Sequence, residues 1–169
     1  MKKIVLIFTM LTFCFSTVSI AQSDIVDVAL SSKDHTTLVA AVKAADLVNT
    51  LKGEGPFTVF APTNAACEAL PSGTLESLLK PESKSKLASI LTYHVVAGNF
   101  KAADVVAAIK KGGGKFTIKT VNGGTLTASL KGDKVVLIDG NGNTSIITGT
   151  DLKASNGVIH VIDSVVLPK

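Results

Sequence analysis

The chain contains no arginine and no tryptophan, only one tyrosine, and two cysteines in 169 residues. Without arginine it lacks the planar fork that recognises phosphates and base edges bidentately, which argues against nucleic-acid binding. Without tryptophan, and with Phe57, Phe60, Tyr93, Phe100 and Phe116 as the aromatics beyond the first 21 residues, it has little to build a sugar-stacking platform from. Its formal charge of +4 falls to +2 once Lys2 and Lys3 are set aside, so net charge does not mark a polyanion binder.

Those two lysines belong to a different kind of sequence. They precede the apolar run "IVLIFTMLTFCF" and the small-residue site Ser19–Ala21. This is the pattern of a secretory signal peptide spanning residues 1–21, cleaved before Gln22. The run is short for a membrane span, so no integral membrane segment is expected after signal removal. The expected localisation is secreted, either extracellular or periplasmic. Cys14 falls within the signal, which leaves Cys67 as the one cysteine of the exported chain and rules out an internal disulfide there. In "NAACEAL" Cys67 falls on the apolar side of a helix and reads as a small buried hydrophobe rather than a reactive thiol.

Along residues 22–169 the pattern changes once. Ser23 or Asp24 can cap a first helix. "HTTLVAAVKAADLVNTL" has helical spacing up to the break at "GEGP". "FTVF" is a short strand, and "APTN" leads to Thr63 or Asn64 capping a helix through Leu70. Helices follow over "GTLESLLK", "PESKSKLASILTYHV" and "KAADVVAAIKK". From "GGG" at 112–114 onward, hairpin turns "NGG", "KGD" and "GNGN" separate strands, and the chain ends in "GVIHVIDSVVL". A mostly helical first half and a hairpin-rich second half define a single α+β domain with helices segregated from an antiparallel sheet. In the last strand Val158, His160, Ile162 and Val166 face one way, and Ile159, Val161, Val165 and Leu167 the other. Both faces are apolar, so the strand is central, His160 is a core histidine in need of hydrogen-bond partners, and Pro168 ends the ladder.

Three stretches carry a family resemblance: "FTVFAPTNAACEAL" at 57–70, "LTYHVVAG" at 91–98 and "NGVIHVIDSVVLP" at 156–168. In order and spacing they resemble the fasciclin domain family over essentially the whole exported chain. The resemblance implies a wedge-shaped β-sandwich with several short helices packed on it. It also implies a non-enzymatic extracellular or envelope module associated with adhesion, whose partner is a cell-surface or matrix protein. Bacterial members are often single secreted domains. Cys67 departs from the pattern, standing where the family usually has a phenylalanine.

Carried over residue by residue, the resemblance makes Phe60, Pro62, Thr63, Asn64, Asn156, Gly157 and His160 structural motif positions. It makes Asp151 and Leu152, with Tyr93 and His94, the partner-binding candidates, by analogy with integrin contacts of animal members. The plain chemistry of Asp151 and Leu152 also allows a solvated loop carboxylate and a core aliphatic. No catalytic residue and no cofactor is expected. His35, His94 and His160 lack zinc-ligand spacing. "DGNGNT" at 139–144 starts like a calcium loop but has neither the glycine at its sixth position nor the glutamate at its twelfth, so no metal is expected. The other function compatible with the sequence is a periplasmic carrier holding a small apolar or lipid-like molecule between helices and sheet.

Overall fold

The computed structural model describes residues 23–169, and the expected signal segment lies outside them. Asp24 caps α1 (Ile25–Ser31) through a reciprocal capping box with Asp27. The long helical stretch that follows is two helices, α2 (Thr36–Ala44) and α3 (Val48–Leu51). The break comes at Asp46, which takes a left-handed φ of 59°. There the N–H of Leu47 reaches back to the Val42 carbonyl, the bonding pattern of a Schellman stop. Glycine usually occupies that position. Aspartate is tolerated in it, so the sequence carries no glycine to announce the stop.

Strand β1 (Phe57–Pro62) leads into α4 (Asn64–Glu68), where Thr63 is the N-cap and accepts from the Ala66 N–H. Next come α5 (Thr74–Leu78), a 3-10 turn begun by Pro81, α6 (Lys84–Tyr93), β2 (Val95–Ala97) and α7 (Ala102–Lys111). The remaining strands are β3 (Lys115–Lys119), β4 (Thr125–Lys131), β5 (Lys134–Ile138), β6 (Thr144–Ala154) and β7 (Gly157–Ile162).

The strands form one seven-stranded sheet in the order β2-β1-β7-β6-β5-β4-β3. A bridge between Val96 and Thr120 brings its two ends together, so the sheet curls into a nearly closed wedge. The fold is α+β, and β7 is central as its two-sided apolar pattern requires. Two features differ from the expectation. β7 pairs in parallel with β1, so the sheet is mixed rather than antiparallel. β7 also stops at Ile162 instead of running to Leu167. Asp163 still donates its N–H to the Ile146 carbonyl, but Val166 and Leu167 are held by the side chains of His94 and Asp139, not by a ladder that Pro168 ends.

Two cores lie on opposite faces of β1 and β7. On one face Val59, Ala61, Val95 and Ile159 pack under α1, α2, α3, α5 and α6. On the other, Phe60 and Ile162 join inward residues of β3–β6 and the apolar edge of α7. Val105 and Ile109 of α7 are 2% and 0% exposed. Burial of side chains of that size contributes about 1.5–3 kcal/mol each and fixes α7 against β3 and β4.

Candidate functional site

The motif residues converge on places where regular hydrogen bonding runs out, and each uses its polar atoms there. Asn64 does not cap its own helix. Its Oδ1 accepts from the N–H of Thr37 and its Nδ2 donates to the Lys33 carbonyl, tying α4 to the start of α2. Asn156 accepts from the Ile25 N–H and donates to the Leu51 and Gly53 carbonyls, joining α1 and α3 to the turn before β7. Gly157 is required because a Cβ there would collide with the Phe57 carbonyl of the parallel neighbour. Pro62 closes the β1–β7 register opposite Ile162.

Tyr93 and His94 are 1% and 2% exposed. The Tyr93 hydroxyl donates to the Thr125 carbonyl at 2.6 Å and accepts from the Gly140 N–H at 3.0 Å. Burial raises its pKa, the Gly140 N–H opposes that rise, and nearby Asp139 adds to it. His94 Nδ1 donates to the Ile90 carbonyl at 2.8 Å, and Nε2 accepts from the Val166 N–H at 3.2 Å. That pairing fixes the neutral Nδ1–H tautomer. Complete burial pushes the His94 pKa down to about 4, against a smaller opposite pull from the Ile90 carbonyl.

His160 is 1% exposed and stacked on Phe60, with ring centroids 5.8 Å apart. Its Nε2–H donates to the Phe100 carbonyl at 2.7 Å, and its Nδ1 faces the Asp151 N–H at 3.4 Å. It therefore supports the loop entering α7, as a core histidine with backbone partners should. Asp151 sits at a bulge. Gly149 pairs with Val161 and Leu152 with Ile159, so Thr150 and Asp151 together oppose His160. Asp151 adopts a φ of 58° there, and its Oδ1 accepts from the Ala102 N–H at 2.9 Å. No side chain within α7 caps that helix, so Asp151 supplies its cap from a distant strand. Leu152, the next residue, is 41% exposed. Of the four partner-binding candidates, the structure groups Asp151 with His160 and leaves Leu152 outside, while Tyr93 and His94 lie in the interior.

Asp139 is the residue whose role the sequence pattern obscured. Its Oδ1 accepts from the N–H groups of Asn141 and Asn143, and its Oδ2 from Asn143 Nδ2 and the Leu167 N–H. Burial would raise its carboxyl, but these four donors hold it below the usual value. The calcium-like "DGNGNT" thus closes on itself and on the C-terminal segment. Its signal was the Asp-x-Asn-x-Asn turn chemistry, with no hint of the remote Leu167 partner. His35 is also buried. Its Nδ1 pairs with Ser32 Oγ at 2.8 Å, and its Nε2 has no hydrogen-bond partner among the described residues. Burial lowers its pKa, with Asp34 and the Ala61 backbone pulling the other way. Cys67 is buried, and burial raises its thiol to about 11. No cluster of three metal-ligating side chains occurs among the described residues, and no described helix is long and apolar enough to cross a membrane.

Among the described residues the buried polar side chains bond mostly to the domain's own backbone, and His35 Nε2 is the buried side-chain atom left without a partner. The family model for the fasciclin domain matches residues 33–168, and the chain belongs to that family. It is 52% identical over 144 residues to the protein sll1483 of Synechocystis, covering 85% of this chain and 73% of that one. It is 35% identical over 153 residues to the immunogenic protein MPB70 of Mycobacterium bovis, covering 88% of this chain and 70% of that one. The fold matches a FAS1 domain pair from the insect cell adhesion molecule fasciclin I with a TM-score of 0.62 at 19% identity. That match covers 77% of this chain and 43% of the other.

Proposed function

We propose that the domain is exported, processed before Gln22, and acts outside the cytoplasm as a non-enzymatic adhesion module for a cell-surface or matrix protein. Family membership and the adhesion role named for fasciclin I support this reading. The single observation that carries it is the β6 bulge. Asp151 is pinned inward as a helix cap and the adjacent Leu152 is thrust into solvent, an aliphatic side chain on a rigid base. A rigidly held apolar anchor loses little entropy when a partner covers it. In this reading the partner covers Leu152, while Asp151, Tyr93 and His94 shape the platform behind it.

The test is adhesion of beads coated with the exported chain to purified matrix glycoproteins or whole cells. Leu152→Asp should reduce binding roughly fivefold or more, about 1 kcal/mol, with no change in melting temperature. Equal binding by wild type and variant would rule out this surface.

A second reading, a carrier of a small apolar ligand, is favoured by one feature. A cavity of about 40 Å³ lies between α1, α2 and the sheet, lined by Ile25, Val26, Leu38, Val42, Val59 and Ile159 among others, with His94 in its wall. It has the space of a few water molecules, so a lipid chain would require the helices to part. Native mass spectrometry of protein purified without detergent tests this reading, and a co-purifying apolar molecule would support it.

A further inference from the structure

Charge is unevenly distributed along the chain. Residues 108–135 carry six lysines and one acid, Asp133, whereas the rest of the described chain carries nine lysines and twelve acids. The net positive charge of the described domain therefore resides in one segment, and that segment is the end of α7, all of β3 and β4, and the start of β5.

Strand alternation puts the four strand lysines, Lys115, Lys119, Lys131 and Lys134, on the outside. Phe116, Ile118, Leu126 and Ala128 point into the second core. The residues between them, Lys115, Thr117 and Lys119 on β3, with Thr125, Thr127 and Ser129 directly opposite on β4, form the outer face. Lys131 and Lys134 pair across the next hairpin. Lys110 and Lys111 adjoin Lys115 through the tight Gly112–Gly114 turn, where a Cβ on Gly112 would strike the Lys115 carbonyl. All six lysines are exposed, and none makes an ion pair among the described residues. Neighbouring strands lie ~4.8 Å apart and alternate residues ~6.7 Å apart, so ammonium groups and hydroxyls alternate over a small area. Like charges this close repel one another, and the one acid of the segment, Asp133 in the Lys131–Lys134 turn, forms an ion pair with none of them.

The geometry points to a docking surface for an acidic polysaccharide on the outer face of β3, β4 and the start of β5. Repeating carboxylates or sulfates would meet the lysines, and sugar hydroxyls would meet the Thr and Ser hydroxyls between them. Other polyanions fit less well. The face has no arginine for phosphate forks and no aromatic side chain on which a nucleobase could stack. Of the exposed large apolar side chains among the described residues, Val121 alone adjoins β3 in sequence, a single residue and not the broad apolar face with which a surface-binding helix enters a bilayer. This surface is separate from the Leu152 bulge, and its failure would leave that reading intact.

The test uses the exported chain on immobilised polygalacturonate, with neutral dextran as the blank. Wild type should bind polygalacturonate but not dextran, and should elute as salt screens the exposed charges. Lys115→Glu with Lys119→Glu should weaken binding about tenfold or more. Lys80→Glu with Lys86→Glu, an equal charge change on exposed lysines outside this segment, should weaken it less than about twofold. Melting temperatures establish that each variant is folded, and Lys115→Gln with Lys119→Gln stands in if the glutamate pair is not. The proposal is overturned if the β3 pair binds as wild type does, if the control pair loses as much, or if anionic vesicles or duplex DNA of equal charge bind better than the polysaccharide.

Discussion

The backbone N–H of Asp151 faces Nδ1 of His160, 3.4 Å away, while the carboxylate of the same aspartate caps α7 at Ala102. With its Nε2–H on the Phe100 carbonyl, His160 thus supports both sides of the α7 entry, across a bulge that gives Asp151 its left-handed backbone.

His160→Ala should destabilise the domain by about 2–4 kcal/mol, combining a cavity beside Phe60 with an orphaned Phe100 carbonyl. Chemical denaturation at neutral pH measures this. A loss below about 0.5 kcal/mol would show that the ring is dispensable.

Three substitutions separate the two duties of Asp151. Asp151→Asn keeps a cap and tolerates the left-handed backbone, so it should cost less than about 1 kcal/mol. Asp151→Gly relieves the backbone but removes the cap, at about 1 kcal/mol. Asp151→Ala loses both and should be worst, at about 2 kcal/mol or more. Amide exchange in the first turn of α7 should quicken for Gly and Ala but not for Asn. The same cost for Ala as for Gly would remove the backbone contribution.

His94 and His35 together predict acid sensitivity. Both have folded pKa values below the ordinary 6.5, His94 at about 4. Between those limits the unfolded chain binds more protons than the folded one, so stability rises with pH there and is flat above about pH 7. On acidification it should fall from pH 6.5 towards pH 4, with His94 accounting for about 3 kcal/mol over that range. His94→Gln should be less stable than wild type at pH 7 but show a flatter profile from 6.5 to 4. An unchanged slope would assign the acid response to other groups.

Cys67 should resist bulky thiol reagents until the domain unfolds, because its thiol is buried and remains protonated at neutral pH. It borders a second apolar cavity, about 40 Å³, lined by Leu38, Leu70, Leu78 and Leu87 among others. Cys67→Phe can grow into that space and should change stability by less than about 1–3 kcal/mol in either direction. Rapid labelling of native protein would contradict the buried placement.

What was legible in the sequence was local or periodic. The two-sided apolar pattern around His160 marked a central strand, and the caps at Asp24 and Thr63 marked helix starts. The stop at Asp46 was hidden because an aspartate performs a glycine's task. The parallel pairing of β1 with β7 joins residues about a hundred positions apart and leaves no local trace. The candidate site was legible as positions but not as roles. Asp151 caps a helix 49 residues away, and Asp139 holds the C-terminal segment through the Leu167 N–H 28 residues away. Side chains that serve a distant backbone carry no spacing rule by which they could be found.

The placement of β7 also has a mechanical consequence. A pull applied at Lys169 first meets side-chain ties, those of Asn141 and Asp139 around Leu167 and that of His94 at Val166. These can peel one after another. The load then enters β7 along its axis, where β1 on one side and β6 on the other grip it simultaneously. Force directed along a strand loads its flanking hydrogen bonds in shear, all at once, instead of unzipping them singly. The domain should therefore yield in two stages under tension, a soft release of the tail and then a stiff plateau that holds until β7 slides.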